Sequence, residues 1–328
     1  MSEAARSYQT TWLGQPALAL ETPLVRIVTV PGMGAKIVSL FDKQAGREWL
    51  LPPTGRNFKP AEYGASFVDQ DMSGWDEIFP TTDACKYPVD GPYRDNPLPD
   101  HGEVWSLPWQ IDGMTQESIS LSTAGKALPY RLTRTVRAVD SQRLSIEFEV
   151  LNTGSESFVA LWAAHPQFAV GAETRIVLPE RVQRVVNVHA VDDWPTAGHV
   201  YPWPEAQASD GRAFRLDRIG TADLHHCRKF YVLPDEPVNW AALQQEDSGD
   251  YVRLSWDISQ IPYLGLWVDE GTYNPLPTAA LEPSTGYYDR LDLAYRNNAV
   301  MRLQPNEPVC WRLDIELGCG TLEPVDRA

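Results

Sequence analysis

Apolar and polar residues alternate with a period of two along much of this chain. In Leu144-Ser145-Ile146-Glu147-Phe148-Glu149-Val150, Ile146, Phe148 and Val150 share one face, and Glu147 and Glu149 share the other. Residues 118–121 and 132–137 repeat the pattern. Residues 24–30 and 35–41 are β-branched runs joined by Pro31-Gly32-Met33-Gly34, which predicts a hairpin. Residues 158–164 are almost continuously apolar and predict a strand buried on both faces, ending at His165-Pro166. Further strands are predicted at 229–232, 238–241, 251–256, 264–268, 299–303 and 309–317. No apolar stripe persists at helical spacing, and a single short helix is predicted over 288–295. No fixed-period repeat or linker divides the chain. Strand follows strand with turns between, which predicts an all-β sandwich forming one domain over residues 1–328.

Composition narrows the partners. The 328 residues carry a formal charge of −16. That balance argues against nucleic acid and anionic membrane surfaces, both of which need basic patches. A neutral small molecule fits best. No stretch has the apolar length of a transmembrane helix, and the N-terminus has no apolar signal core, so a cytoplasmic location is expected. Cys85, Cys227, Cys310 and Cys319 form no CxxC pair and read as free thiols. No metal or cofactor motif appears, and a homodimer is left open.

One stretch breaks the alternation. Residues 73–109 hold Trp75, Phe79, Trp105 and Trp109 among Asp76, Glu77, Lys86, His101 and Glu103, interrupted by six prolines. Such a segment cannot be a regular helix. Flat rings beside carboxylates and an imidazole suit a polar ligand with apolar faces, and a sugar is the simplest of these. The plain alternative is a surface loop pinned by buried rings. Three acid–base groups, one of them in this stretch, stand where strands are predicted to end: His101, His165 and Glu282. A carboxylate directly after Ala279-Ala280-Leu281 is costly to bury without purpose. His165 capping a buried strand has a structural role as its ordinary explanation, and His101 has a surface ion pair. His189, His199, His225 and His226 sit among polar residues and carry little signal. Asp223 with His225-His226 is a weak metal pattern, because adjacent strand side chains face opposite sides.

Five short motifs resemble those of aldose 1-epimerases, the galactose mutarotase-like proteins, in the same order. They are Gly34-Ala35-Lys36-Ile37-Val38-Ser39-Leu40, Gly74-Trp75-Asp76-Glu77-Ile78-Phe79-Pro80-Thr81, Asp100-His101-Gly102-Glu103-Val104-Trp105, Leu161-Trp162-Ala163-Ala164-His165-Pro166-Gln167-Phe168 and Leu281-Glu282-Pro283-Ser284-Thr285-Gly286. The likeness runs from about residue 20 to the end. It implies a large antiparallel β-supersandwich and a cofactor-free acid–base pair acting on a neutral aldose. The family's histidine donor matches His165 and its glutamate base matches Glu282. The earlier histidine matches His101, a sugar-oxygen contact.

The chain also departs from the familiar pattern. Pro166-Gln167-Phe168 replaces a Tyr-Phe-Asn-Leu-like run. The arginine before the first histidine has no counterpart, leaving Lys86 and Arg94 as the basic residues at hand. These differences place the chain in a divergent branch. Trp75, Trp105 and Trp267 are candidates for stacking on a sugar face, with core burial as the alternative. Asp76, Lys86, Glu103 and Asp269 are candidates for binding hydroxyls, with loop ion pairs as the alternative. Three other functions remain open: a non-catalytic carbohydrate-binding protein, a lyase or glycoside hydrolase, and a hexose-6-phosphate 1-epimerase. The last needs a cationic pocket, for which Arg94, Arg131 and Arg134 are the nearest basic cluster.

Overall fold

A computed structural model describes residues 5–191 and 194–322. Nearly all regular structure is antiparallel β-sheet, as the alternation predicts. Two large sheets face each other. The longer one runs, in spatial order, through Arg6–Trp12, Gln15–Glu21, Val25–Val30, Lys36–Asp42, Trp75–Ile78, Ala163–Pro166, Thr278–Ser284, Tyr263–Glu270, His226–Val232, Arg184–Asn187 and Val200–Pro202. The second has eight strands, ordered Thr174–Val177, Trp240–Gln245, Asp250–Trp256, Pro308–Cys319, Arg143–Asn152, Tyr130–Ala138, Ser118–Ala124 and Gln110–Thr115. This is the large antiparallel β-supersandwich that the sequence leads one to expect. Between the sheets, Leu132, Ile146, Phe148, Leu254, Leu266, Leu281 and Leu313 pack into one core. The alternating residues supply its inner faces.

The predicted hairpin forms, with Val25–Val30 paired to Lys36–Asp42. The short helix forms at Leu291–Arg296. The four cysteines are free.

The apolar run 158–164 differs from its prediction. It is two short strands, Phe158–Ala160 and Ala163–Pro166, in different sheets. The chain is turned between them because the Leu161 amide donates to Pro80 O and the Trp162 amide donates to Thr285 Oγ1. Continuous apolarity could not reveal that break, because both halves are buried. His165 therefore lies inside a strand and not beyond its end. Glu282 is also mid-strand, since Thr278–Ser284 continues through Pro283 opposite Leu264. A strand interior holds a side chain's direction more tightly than a strand end does.

One charged contact crosses the sandwich interior. Arg134, from the second sheet, meets Glu77 of the first at 3.1 Å, and both are fully buried. Arg134 also donates to Thr29 Oγ1 at 2.9 Å, and Trp162 Nε1 donates to Glu77 at 3.0 Å. Burial raises the Glu77 carboxyl against the opposing pull of Arg134, leaving it at about 7.

Candidate active site

The central strands of the longer sheet carry two different faces. On Thr278–Ser284, Ala279 and Leu281 enter the core. Glu282 alternates with them and so points to the other side. By the same period, His165, Lys229, Tyr231 and Trp267 project to that outer side. Loops cover it and leave a cavity of about 220 Å³, lined by Phe67, His101, His165, Gln167, Lys229, Trp267, Tyr273, Glu282 and Asp289 among others. The volume suits one monosaccharide.

His165 Nε2 stands 3.7 Å from Glu282 Oε1, and both side chains are buried. The strands bring them together directly, because Ala163–Pro166 and Thr278–Ser284 are neighbours. The Gln167 carboxamide nitrogen lies 3.2 Å from His165 Nε2. Among the described residues, His165 Nδ1 and Gln167 Oε1 are buried without a protein partner. Open valences of this kind in a cavity suit a ligand rich in hydroxyl groups.

The electrostatics push the pair's two pKa values toward each other. Burial lowers the His165 imidazolium well below its usual 6.5, and the nearby charges of His101, Lys229 and Lys36 add to this. Burial raises the Glu282 carboxyl above its usual 4.5. Lys229 opposes that rise and Asp289 adds to it.

Rings set the rest of the wall. The Phe67 ring stacks on His101 at 4.1 Å and meets His165 edge-on at 5.0 Å. His101 Nδ1 is 2.9 Å from Asp100 Oδ1. Its backbone has a positive φ of 57°, and the next residue, Gly102, has a φ of 68°. A β-carbon on Gly102 would fall 2.2 Å from the Phe79 carbonyl oxygen. Gly102→Ala is therefore expected to destabilise the protein by about 1–3 kcal/mol through backbone strain. It should also displace His101 from the cavity wall. Urea unfolding would check the loss, and an unchanged unfolding midpoint would refute it.

The sequence matches the aldose 1-epimerase family over residues 16–217, more than half the chain. This chain belongs to the aldose 1-epimerase family. The match includes His101 and His165 and ends before Lys229 and Glu282. No curated protein matches the sequence significantly. Solved structures do. A galactose mutarotase-like protein from Clostridium acetobutylicum has a TM-score of 0.68 at 14% identity, covering 97% of this chain and 99% of that one. A galactose mutarotase-like protein from Lactobacillus casei gives 0.66 at 19% identity, covering 92% and 100%. A galactose mutarotase related enzyme from Lactobacillus acidophilus gives 0.64 at 14%, covering 98% of each. At such identities the likeness is one of fold.

Of the residues singled out from the sequence of this aldose 1-epimerase family member, His101, His165, Trp267 and Glu282 line the cavity together. The others lie elsewhere. Trp75 is buried in the core against Phe168. Asp76 neighbours His165 in register, but Lys36 covers it with an ion pair of 2.6 Å. Lys86 is exposed on a two-residue strand away from the cavity. Glu103 is buried and accepts from Tyr63 Oη and from the amides of Lys126 and Ala127, so it anchors a loop. Asp269 is likewise committed, accepting the amides of Thr272, Tyr273 and Asn274. Trp105 backs the wall through an edge contact with Phe67. Arg94 pairs with Asp90, Arg131 with Asp112 and Arg134 with Glu77, so none of the three reaches the cavity. His226 pairs with Glu270 outside it.

Sequence reasoning missed Lys229, Asp289, Gln167 and Phe67, and gave little weight to His189, which also lines the cavity. A signal existed for Lys229, the second of two cations, Arg228-Lys229, that open the apolar run Phe230-Tyr231-Val232. Gln167 stands two residues after His165. Nothing local marked Asp289 or Phe67.

Proposed function

We propose that this chain interconverts the α and β anomers of a neutral aldose. The observation that carries the reading is the 3.7 Å approach of His165 to Glu282 in a cavity sized for one sugar ring. Mutarotation needs two groups acting at once. One takes the proton of the anomeric hydroxyl while the other protonates the ring oxygen, and the bond from the anomeric carbon to that oxygen breaks. The open aldehyde rotates about C1–C2, the ring recloses on the other face, and both protons return. Glu282 serves as the base and His165 as the acid. Each positioned acid or base contributes about 10²–10⁴-fold. Trp267 offers a flat face for the ring, and Gln167 and His101 offer hydrogen bonds to hydroxyls.

A neutral sugar is favoured over a phosphorylated one by the cavity's charges. Its lysine, Lys229, is already paired with Glu282 at 2.9 Å and Asp289 at 3.0 Å. Asp83 and Asp100 add further carboxylates to the lining.

Anomer exchange measured by NMR on a panel of free aldoses tests the reading, and a panel without enhanced exchange would overturn it. The pH profile is a sharper test. Activity requires Glu282 ionised and His165 protonated, so kcat/KM falls below the raised Glu282 pKa and above the lowered His165 pKa. Because the Glu282 pKa is moved up from the ordinary 4.5 and the His165 pKa down from the ordinary 6.5, the active window is expected to be narrower than that interval. An alkaline limb well above 6.5 would remove His165 from the role of acid.

A further inference from the structure

The feature of the cavity that acid–base chemistry alone does not account for is Lys229. It stands on His226–Val232, two strands away from Glu282, with Tyr263–Glu270 between them. In register, Gly265 is opposite both Tyr231 and Glu282. A β-carbon on Gly265 would lie 3.0 Å from Glu282 Oε2 and 3.3 Å from the Tyr231 ring. The missing side chain leaves a gap in the intervening strand, and Lys229 reaches across it. Its ammonium holds Glu282 Oε2 at 2.9 Å and Asp289 Oδ1 at 3.0 Å. Tyr231 Oη donates to the same Asp289 oxygen at 2.8 Å. A lysine is rarely buried without purpose, and this one is only 8% exposed.

We infer that Lys229 is a positioning residue of the site: bridged between Glu282 and Asp289, it keeps Glu282 ionised and aims its free oxygen at His165. This rests on the anomer-exchange reading for its catalytic meaning, though not for its electrostatic content. The ammonium takes Oε2 and leaves Oε1 facing the histidine. The groups around Glu282 are His165 on one side, Lys229 and Tyr231 on the other, and Asp289, Asp83 and His101 from the covering loops. Lys229 is the ammonium among these. Burial works against its charge, but Asp289, Glu282 and Asp83 outweigh that and hold its pKa above the usual value. It therefore stays charged while Glu282 and His165 exchange protons with the sugar, and it serves neither as nucleophile nor as proton donor.

The arrangement predicts opposite effects from its two ends. Lys229→Met removes the cation that favours carboxylate, so the Glu282 pKa rises. Asp289→Asn removes a repelling charge, so it falls. The experiment is a ¹³C titration of the Glu282 carboxyl, assigned by its loss in Glu282→Gln, run beside the pH profile of anomer exchange. The expected result is an upward displacement of at least about one pH unit for Lys229→Met. Lys229→Arg should restore most of it, and Asp289→Asn should move the midpoint down. In the rate profile, Lys229→Met should carry both limbs upward, since Lys229 also depresses His165. Asp289→Asn should move the acid limb alone. A structural lysine would lower activity without moving either limb. The inference is overturned if Glu282 titrates unchanged in Lys229→Met, or if both variants move it the same way. Should Lys229→Met not fold, an unmoved or raised midpoint in Asp289→Asn overturns it instead. If the parent protein exchanges no aldose, the proposed function fails, and the carboxyl titration still decides the role of Lys229.

Discussion

Glu282→Gln is expected to lower the rate of anomer exchange by about 10²–10⁴-fold while sugar binding persists. The carboxamide keeps the shape of the side chain and cannot accept the anomeric proton as a base. Binding should survive because Trp267, Gln167, His101 and Phe67 still line the cavity. The effect should be on kcat far more than on KM, since the interaction lost is one made as the proton moves. Exchange spectroscopy at saturating sugar reads kcat, and ligand-observed NMR reads binding. Exchange as fast as in the parent would show that the base lies elsewhere.

The second large effect lies beneath the site, in the interior of the sandwich. Arg134→Met leaves Glu77 fully buried without its cation. Removing one partner of a buried pair typically costs about 3–5 kcal/mol, because the remaining charge has lost its compensation. The loss should grow with pH, and the sign follows from Glu77 itself. In the parent, its folded pKa of about 7 is raised above the ordinary 4.5. The folded state thus holds the proton more tightly, and the stability linked to it is fully present below 4.5 and lost as pH rises through 7. At about 1.4 kcal/mol per pH unit, that loss is roughly 3 kcal/mol. Without Arg134 the Glu77 pKa climbs further, so the variant should be penalised more at pH 8 than at pH 6. Urea unfolding at the two pH values measures this. The double variant Arg134→Met, Glu77→Leu should recover most of the loss, because a packed apolar pair needs no ionic compensation. A pH-independent loss, or no recovery, would refute the account.

The two variants separate what the buried charges do. Glu77 and Arg134 tie the sheets together on the core side of the strand Trp75–Ile78. His165, on the neighbouring strand, faces the cavity side. Sequence pattern located both carboxylates, Glu77 in an aromatic segment and Glu282 after small apolar residues. It gave no means of telling an internal tie from a site group. The difference is which sheet face each residue occupies and what stands opposite, and a long-range contact such as Arg134 to Glu77 is invisible to local pattern.

The sequence by itself determined the class of fold, and its motifs singled out His165 and Glu282. Period-two alternation has one structural solution, a half-buried strand, so Ile146, Phe148 and Val150 could be read directly. Glu282 stood out because a carboxylate among apolar residues is costly to bury, and His165 because its segment resembles a family motif. Only the tertiary structure decided what surrounds them. Trp75, Asp76, Glu103 and Asp269 resembled sugar contacts, yet each is committed to the core, a lysine or a loop's amides. Lys229, Asp289 and Phe67 carried little local signal, yet they frame the cavity. Burial is a property of a residue and its neighbours along the chain, and a pattern can report it. A binding site is a convergence of side chains from strands and loops far apart in sequence. Here that convergence depends on strand order and on Gly265 leaving open the gap that Lys229 spans.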